Sequence, residues 1–224
     1  MSFNIIALAT LIALSFGAPV AHAATITYTT SEISSSTQIL GGNANVVTAL
    51  HFEGGNGSTA ALTLNLAGGA VVFSTIDAGG NHGGFGDANV AGGGDINSFL
   101  NNSEWGNYGV TLTGLAAGEE YRLQIIGYAS NSAHTADVNL GGQHYNFTVD
   151  TTTDQTKADV LTATWTQDIG QTTMSLYFGS NPQISGLVLE SMSAPAAVPE
   201  PASLALLGLG FAGLVSRRRK AKQA

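Results

Sequence analysis

The sequence predicts an all-β protein: a two-sheet jelly-roll sandwich of about ten strands, framed by a segment at each end that serves processing rather than the core. Three observations carry this reading. Apolar and polar residues alternate in short runs from about residue 24 to 193, clusters of Gly, Asn, Asp and Ser interrupt those runs, and each end holds an uncharged apolar stretch.

At the start, residues 4–17 are apolar but too short to span a bilayer, and the small residues of Ala21-His22-Ala23 suit signal peptidase. Residues 1–23 are read as a cleavable signal helix, cut after Ala23. Met1-Ser2-Phe3 carries no Lys or Arg, so the positive charge there rests on the α-amino group.

Residues 24–193 form the predicted sandwich. In Ala61-Leu62-Thr63-Leu64-Asn65-Leu66 the leucines fall on one face and Thr63 and Asn65 on the other; Val110-Thr111-Leu112-Thr113 repeats the pattern. Similar runs at 46–52, 71–76, 121–128, 138–140, 145–149, 160–165, 174–178 and 184–189, with 26–28 as a further candidate, bring the total to about ten. Gly118 marks a turn within 115–120, which predicts that 110–115 and 121–128 pair as a hairpin. Asp95 is placed to cap a short helix carrying Ile96, Phe99 and Leu100 at i, i+3 and i+4, expected to plug one edge of the sandwich.

Residues 77–97 are too polar and too rich in glycine to read as a strand. Asp77, Asp87 and Asp95 on such a backbone offer hard oxygen ligands, so this stretch is the candidate Ca²⁺ site or carbohydrate-facing loop. Gly83-Gly84-Phe85-Gly86-Asp87 resembles calcium-binding glycine repeats, but it occurs once and is one residue short before its Asp. The competing reading is a plain surface loop. Trp105, Tyr108, Phe85 and Tyr128 lie in or beside loops, where an exposed ring stacks well on a sugar; Trp105 and Trp165 suit the core equally.

Catalytic patterns are weak. There is no cysteine and no Gly-x-Ser-x-Gly elbow, and His51, His82, His134 and His144 are scattered. Glu119 and Glu120 are adjacent, as a solvated charge pair is. A carbohydrate-active enzyme would need two of Asp77, Asp87, Asp95 and Glu104 facing each other across about 5–10 Å.

The end of the chain runs from a linker (194–201) holding Val198-Pro199-Glu200-Pro201, through an uncharged stretch (202–216), to a basic tail (217–224) opening on Arg217-Arg218-Arg219-Lys220. A basic cluster after an apolar helix reads as its cytoplasmic stop, and the prolines keep the segment around Glu200 extended and accessible. The stretch is shorter than the roughly 20 residues of a stable span, which suits a temporary transmembrane anchor. Before the tail, Arg122 and Lys157 are the only basic residues against all fifteen acidic ones, a net charge of −13 that disfavours nucleic acid.

Motif, apolar stretch and basic cluster together closely resemble the PEP-CTERM sorting signal. That resemblance implies recognition by an exosortase, transient anchoring in the inner membrane and cleavage near Pro199-Glu200-Pro201. The destination it implies is the cell envelope or exterior of a Gram-negative-type bacterium. A second resemblance lies in Thr48-Ala49-Leu50-His51-Phe52, a short helix before Trp105, Val110 to Leu115, Gly118, Tyr121, Leu123, Gln124, and Ile184-Ser185-Gly186-Leu187-Val188-Leu189. This order of elements looks like galactose-binding-like jelly-roll domains of bacterial exported proteins, and implies a fold more than a ligand.

The sequence thus reads as an exported, non-enzymatic surface or matrix protein. Its expected partners are signal peptidase, the exosortase, the inner membrane and exopolysaccharide. The alternatives are a carbohydrate-active enzyme and a purely structural biofilm or adhesion component.

Overall fold

The computed structural model describes residues 25–39, 45–52, 62–66, 69–79, 81–84, 86–92, 94–129 and 131–192. The expected signal segment with Ala21 and Ala23, the motif at 198–201, the expected span 202–216 and the cluster Arg217 to Lys220 lie outside these residues, as does Phe85. Among the described residues no helix is long and apolar enough to cross a membrane.

The chain passes through β1 (Thr27–Ile33), β2 (Val46–Phe52), β3 (Leu62–Leu66), β4 (Gly69–Ile76) and β5 (Asn81–Gly84), then a short helix α1 (Gly94–Leu100). After it come β6 (Asn102–Trp105), β7 (Tyr108–Thr113), β8 (Glu120–Gly127), β9 (His134–Leu140) and β10 (Gln143–Val149). The last three are β11 (Ala158–Thr166), β12 (Thr173–Gly179) and β13 (Ile184–Ser191). They build two sheets. The larger has nine strands, in the order β1-β11-β8-β13-β2-β4-β3, with β6 joining β13 and β5 joining β6; the smaller runs β10-β9-β12-β7. From β6 onward the chain changes sheet at every connection except the β9–β10 hairpin. That hairpin turns on Gly141-Gly142, both at positive φ, as a two-residue loop requires.

Thirteen strands among the described residues exceed the ten or so expected, and the surplus includes a correction. Asn81–Gly84, within the stretch judged unfit for a strand, pairs antiparallel with Asn102–Trp105, Asn81 opposite Trp105 and Gly84 opposite Asn102. Neither segment alternates, so pairing rather than pattern makes them strands.

The predicted hairpin between 110–115 and 121–128 does not form. β7 lies in the small sheet against β12, while β8 lies in the large sheet between β11 and β13. The Gly118 turn is a crossover, and its amides find partners outside itself: Leu115 N–H donates to Thr172 O at 3.0 Å and Gly118 N–H to Gln167 O at 2.8 Å. Both groups belong to the other crossover, between β11 and β12. Trp165 Nε1 donates to Gln167 Oε1 at 3.0 Å, anchoring that strap to the core.

Two apolar cores result. Between the sheets lie Phe52, Leu123, Ile125, Leu161, Trp165, Leu187 and Leu189 with Tyr108, Val138, Phe147 and Phe178 from the small sheet. The second sits on the outer face of the large sheet, where Ile96, Phe99 and Leu100 of α1 cover Ala49, Phe73, Ile126, Val160 and Val188. The spacing of these three residues was correctly read as one apolar helix face, but α1 roofs a sheet face rather than plugging an edge. Asp95 does not cap the helix: it is the second residue of α1, exposed in the first turn, where a negative charge suits the helix N-terminus. Period-two alternation explains the split: Leu161, Ala163 and Trp165 of β11 point to one core, Ala158 and Val160 to the other.

Close approach of α1 depends on Gly186 in β13. A methyl there would lie 2.5 Å from Leu50 O and 2.5 Å from the Phe99 ring. Gly186→Ala is expected to destabilise the fold by about 1–3 kcal/mol, the usual cost of overpacking, read as a lower denaturation midpoint. A second site of stress is the ion pair Arg122–Glu190, 2.6 Å across the register between β8 and β13, with the Glu190 side chain 2% exposed. Arg122→Ala leaves that carboxylate buried and uncompensated; because the Arg is partly exposed, the expected loss is about 2–3 kcal/mol, measured by urea unfolding.

Candidate functional site

The candidate residues of the glycine-rich stretch occupy separate places. Asp77 is exposed and accepts Gly79 N–H at 2.8 Å, closing a tight turn. Asp87 has both carboxylate oxygens engaged, Oδ1 by the Tyr128 hydroxyl and Oδ2 by Gln155 Nε2, each at 3.1 Å. Asp95 belongs to α1. Among the described residues no three His, Asp or Glu side chains are grouped so as to hold a metal ion. Glu104 is fully buried and accepts Ala78 N–H at 3.1 Å.

Nor is this stretch a free surface loop. Ala88 and Val90 are buried in the outer core, and their amides donate to Asn101 Oδ1 and Asn97 Oδ1, each at 2.8 Å. Asn89 N–H donates to Gln155 O at 2.9 Å. The segment is a lid over the large sheet, stapled by asparagines at and after α1.

The aromatic candidates divide. Trp105, at the end of β6, is 38% exposed and presents a ring to solvent, whereas Trp165 is a core residue. Tyr108 is corrected: it opens β7, is 3% exposed, and packs edge-on against Phe52. Burial and the nearby Glu104 charge push its phenol pKa well up. Tyr128 is also buried, its ring in the outer core and its hydroxyl on Asp87. Both tyrosines close a strand-to-loop junction, where only the third dimension separates a core ring from an exposed one.

His51 and His144 stand on strands, as read. His144 is exposed and hydrogen-bonded through Nδ1 to Asp137 at 2.8 Å and through Nε2 to Asn139 at 3.0 Å. It shares the outer face of the small sheet with Tyr177, a 44% exposed ring lying beside Gly109 and Gly179.

A feature outside the sequence reading is a cleft of about 470 Å³ where the free edges of β1 and β10 approach each other. Its walls include Thr30, Glu32, Asp159, Tyr145, Asn146 and Thr148. Tyr145 stacks on Tyr28 with ring centroids 5.0 Å apart. Burial pushes the Tyr28 phenol up to about 12, and its hydroxyl donates to Gln143 O. Glu32 and Asp159 are direct partners in the β1–β11 register, 127 residues apart in sequence, so no local pattern could have paired them. Lys157 Nζ reaches Glu32 at 2.9 Å and Asp154 at 3.4 Å.

A PEP-CTERM protein-sorting motif matches residues 197–220, and marks the chain as one sorted to the surface. No curated protein matches the chain in sequence. Among solved structures it is similar to a chain of the complex of the plant peptide RALF23 with FER and LLG2, at TM-score 0.46 and 10% identity, covering 68% of this chain and 51% of that one. It is also similar to the ANXUR1 extracellular domain from Arabidopsis thaliana, at TM-score 0.38 and 8% identity, covering 66% and 49%. The ANX2 ectodomain of the same plant gives TM-score 0.37 and 8% identity, covering 66% and 50%. The chain spans about half the length of these structures.

His51 supplies a pH dependence. It is fully buried beside Phe99, and burial holds its pKa at about 4, the backbone bond to Phe99 pulling weakly the other way. The folded state therefore binds the neutral ring. Its contribution is complete above pH 6.5 and is lost as pH falls toward 4, a change on the order of 3 kcal/mol. The stability difference between the native chain and His51→Gln should shrink by that order between pH 7 and pH 4 in urea titrations.

Proposed function

We propose that the chain is an exported, non-enzymatic protein of the cell surface or extracellular matrix that contacts exopolysaccharide. The observation that carries the reading is the sorting motif at residues 197–220. It implies processing by an exosortase, and cleavage beside Glu200 would detach the sandwich from a temporary anchor at 202–216 in the inner membrane of a Gram-negative-type envelope. The signal segment at 1–23 is the matching entry ticket, removed by signal peptidase.

We read the sandwich as a jelly roll of the galactose-binding-like kind. Repeated switching of the chain between sheets from β6 onward supports the jelly roll. Three features support a binding rather than catalytic role. Among the described residues the candidate carboxylates Asp77, Asp87 and Glu104 each accept a hydrogen bond, the exposed Trp and Tyr rings are Trp105 and Tyr177, and the cleft carries hydroxyls, an amide and carboxylates.

The test is to locate the protein in cells with and without the sorting protease and to read both termini by mass spectrometry. The expected mature chain begins at Ala24 and ends near Glu200 when the protease is present, and retains residues 202–224 when it is absent. An identical, uncut tail in both strains refutes the sorting reading.

A further inference from the structure

The edge cleft is where the molecule's charge and shape come to one point. Among the described residues β1 pairs with β11 and β10 with β9, each ending its sheet, and side chains of both edge strands line the cleft. The volume, about 470 Å³, falls in the range of roughly 300–1,000 Å³ typical of small-molecule clefts. Among its lining residues Phe147 alone is a buried apolar side chain; the remainder are hydroxyl, amide and carboxylate side chains and the half-buried Tyr145. That lining suits a polyol with an edge ring contact better than a peptide bearing apolar side chains.

The charges give the sign of the ligand. Glu32 and Asp159 oppose each other in register, and like charges directly across a strand pair are destabilising. The nearby cation, Lys157, is drawn to Glu32 and Asp154. Asp159 Oδ2 accepts the Asp150 amide at 2.7 Å. Even so, burial, with Glu32 and Asp150 nearby, raises the Asp159 carboxyl above its usual range, outweighing that hydrogen bond and the pull of Lys157. Lys157 answers Glu32 directly, so a further positive group set between the two carboxylates would relieve the repulsion left at Asp159.

We propose that this cleft binds a saccharide bearing free amino groups, with an amine set between Glu32 and Asp159 and a sugar ring beside Tyr145. The assignment rests on the reading of the chain as an exopolysaccharide-contacting surface protein, and narrows it to one site and one class of sugar.

The full-length chain in detergent, titrated calorimetrically with glucosamine tetramer, its N-acetylated counterpart and spermine, tests it. The free-amine tetramer is expected to bind at least tenfold more tightly than the other two. Glu32→Gln, Asp159→Asn and Tyr145→Ala should each weaken it about tenfold with the thermal midpoint held within about 3 °C, while Ile169→Ala, on an exposed side chain outside the cleft lining, leaves it unchanged. Equal binding of the acetylated tetramer, equal binding of spermine, or indifference to the cleft variants overturns the assignment. No binding of either tetramer also overturns it. If, in addition, immobilised exopolysaccharide from the producing cells fails to retain the chain, the broader sugar-contact reading falls as well; retention leaves that reading standing without this site.

Discussion

Strand β13 is buried along Ile184–Glu190, with Ile184, Leu187 and Leu189 turned to the core between the sheets and Val188 to the core beneath α1. An antiparallel strand usually gives one face to water. Here neither face can, and every neighbouring element answers to that constraint. β8 and β2 flank it, the small sheet closes one side, and α1 with the glycine-rich lid closes the other. Gly186 supplies the space that lets the helix approach, and Arg122 supplies the charge that permits Glu190 to sit at the strand's end. In a chain without cysteine, this two-sided burial stands in for a covalent staple.

Covering the large sheet on both faces also determines where anything else can bind. Its central strands are closed to ligands. The open surfaces include strand edges, such as those of β1 and β10, and the outer face of the small sheet with Tyr177, Asp137 and His144. The acidic character of the domain is thereby expressed at edges, where Glu32 and Asp159 meet in register rather than by sequence proximity.

Legibility followed the range of the interaction. β2 was read with its bounds at Val46 and Phe52, and nine other strands were located, because alternation is written into each strand by itself. The apolar face of α1 was visible for the same reason. What failed was pairing. Residues 110–115 and 121–128 look like a hairpin locally, but Leu115 and Gly118 satisfy their amides on Thr172 and Gln167, some 50 residues away. β5 has no pattern of its own and owes its existence to β6. Tyr108 and Tyr128, at the ends of runs, carried no mark to distinguish a core ring from a binding ring. The cleft was invisible because Glu32, Tyr145 and Asp159 are joined only by the fold.

The pairing of β1 with β11, Thr27 opposite Thr164 and Ile33 opposite Ala158, has a kinetic consequence. β2 pairs in parallel with β4 but gains its antiparallel neighbour from β13, Leu50 opposite Leu187. The first two strands to emerge during synthesis can therefore be completed only by two of the last. Closure of loops this long precedes any reward in burial, which makes such topologies slow to form. Until β11 and β13 have left the ribosome, β1 lacks its partner and β2 has β4 alone, so the large sheet cannot close around its central strand.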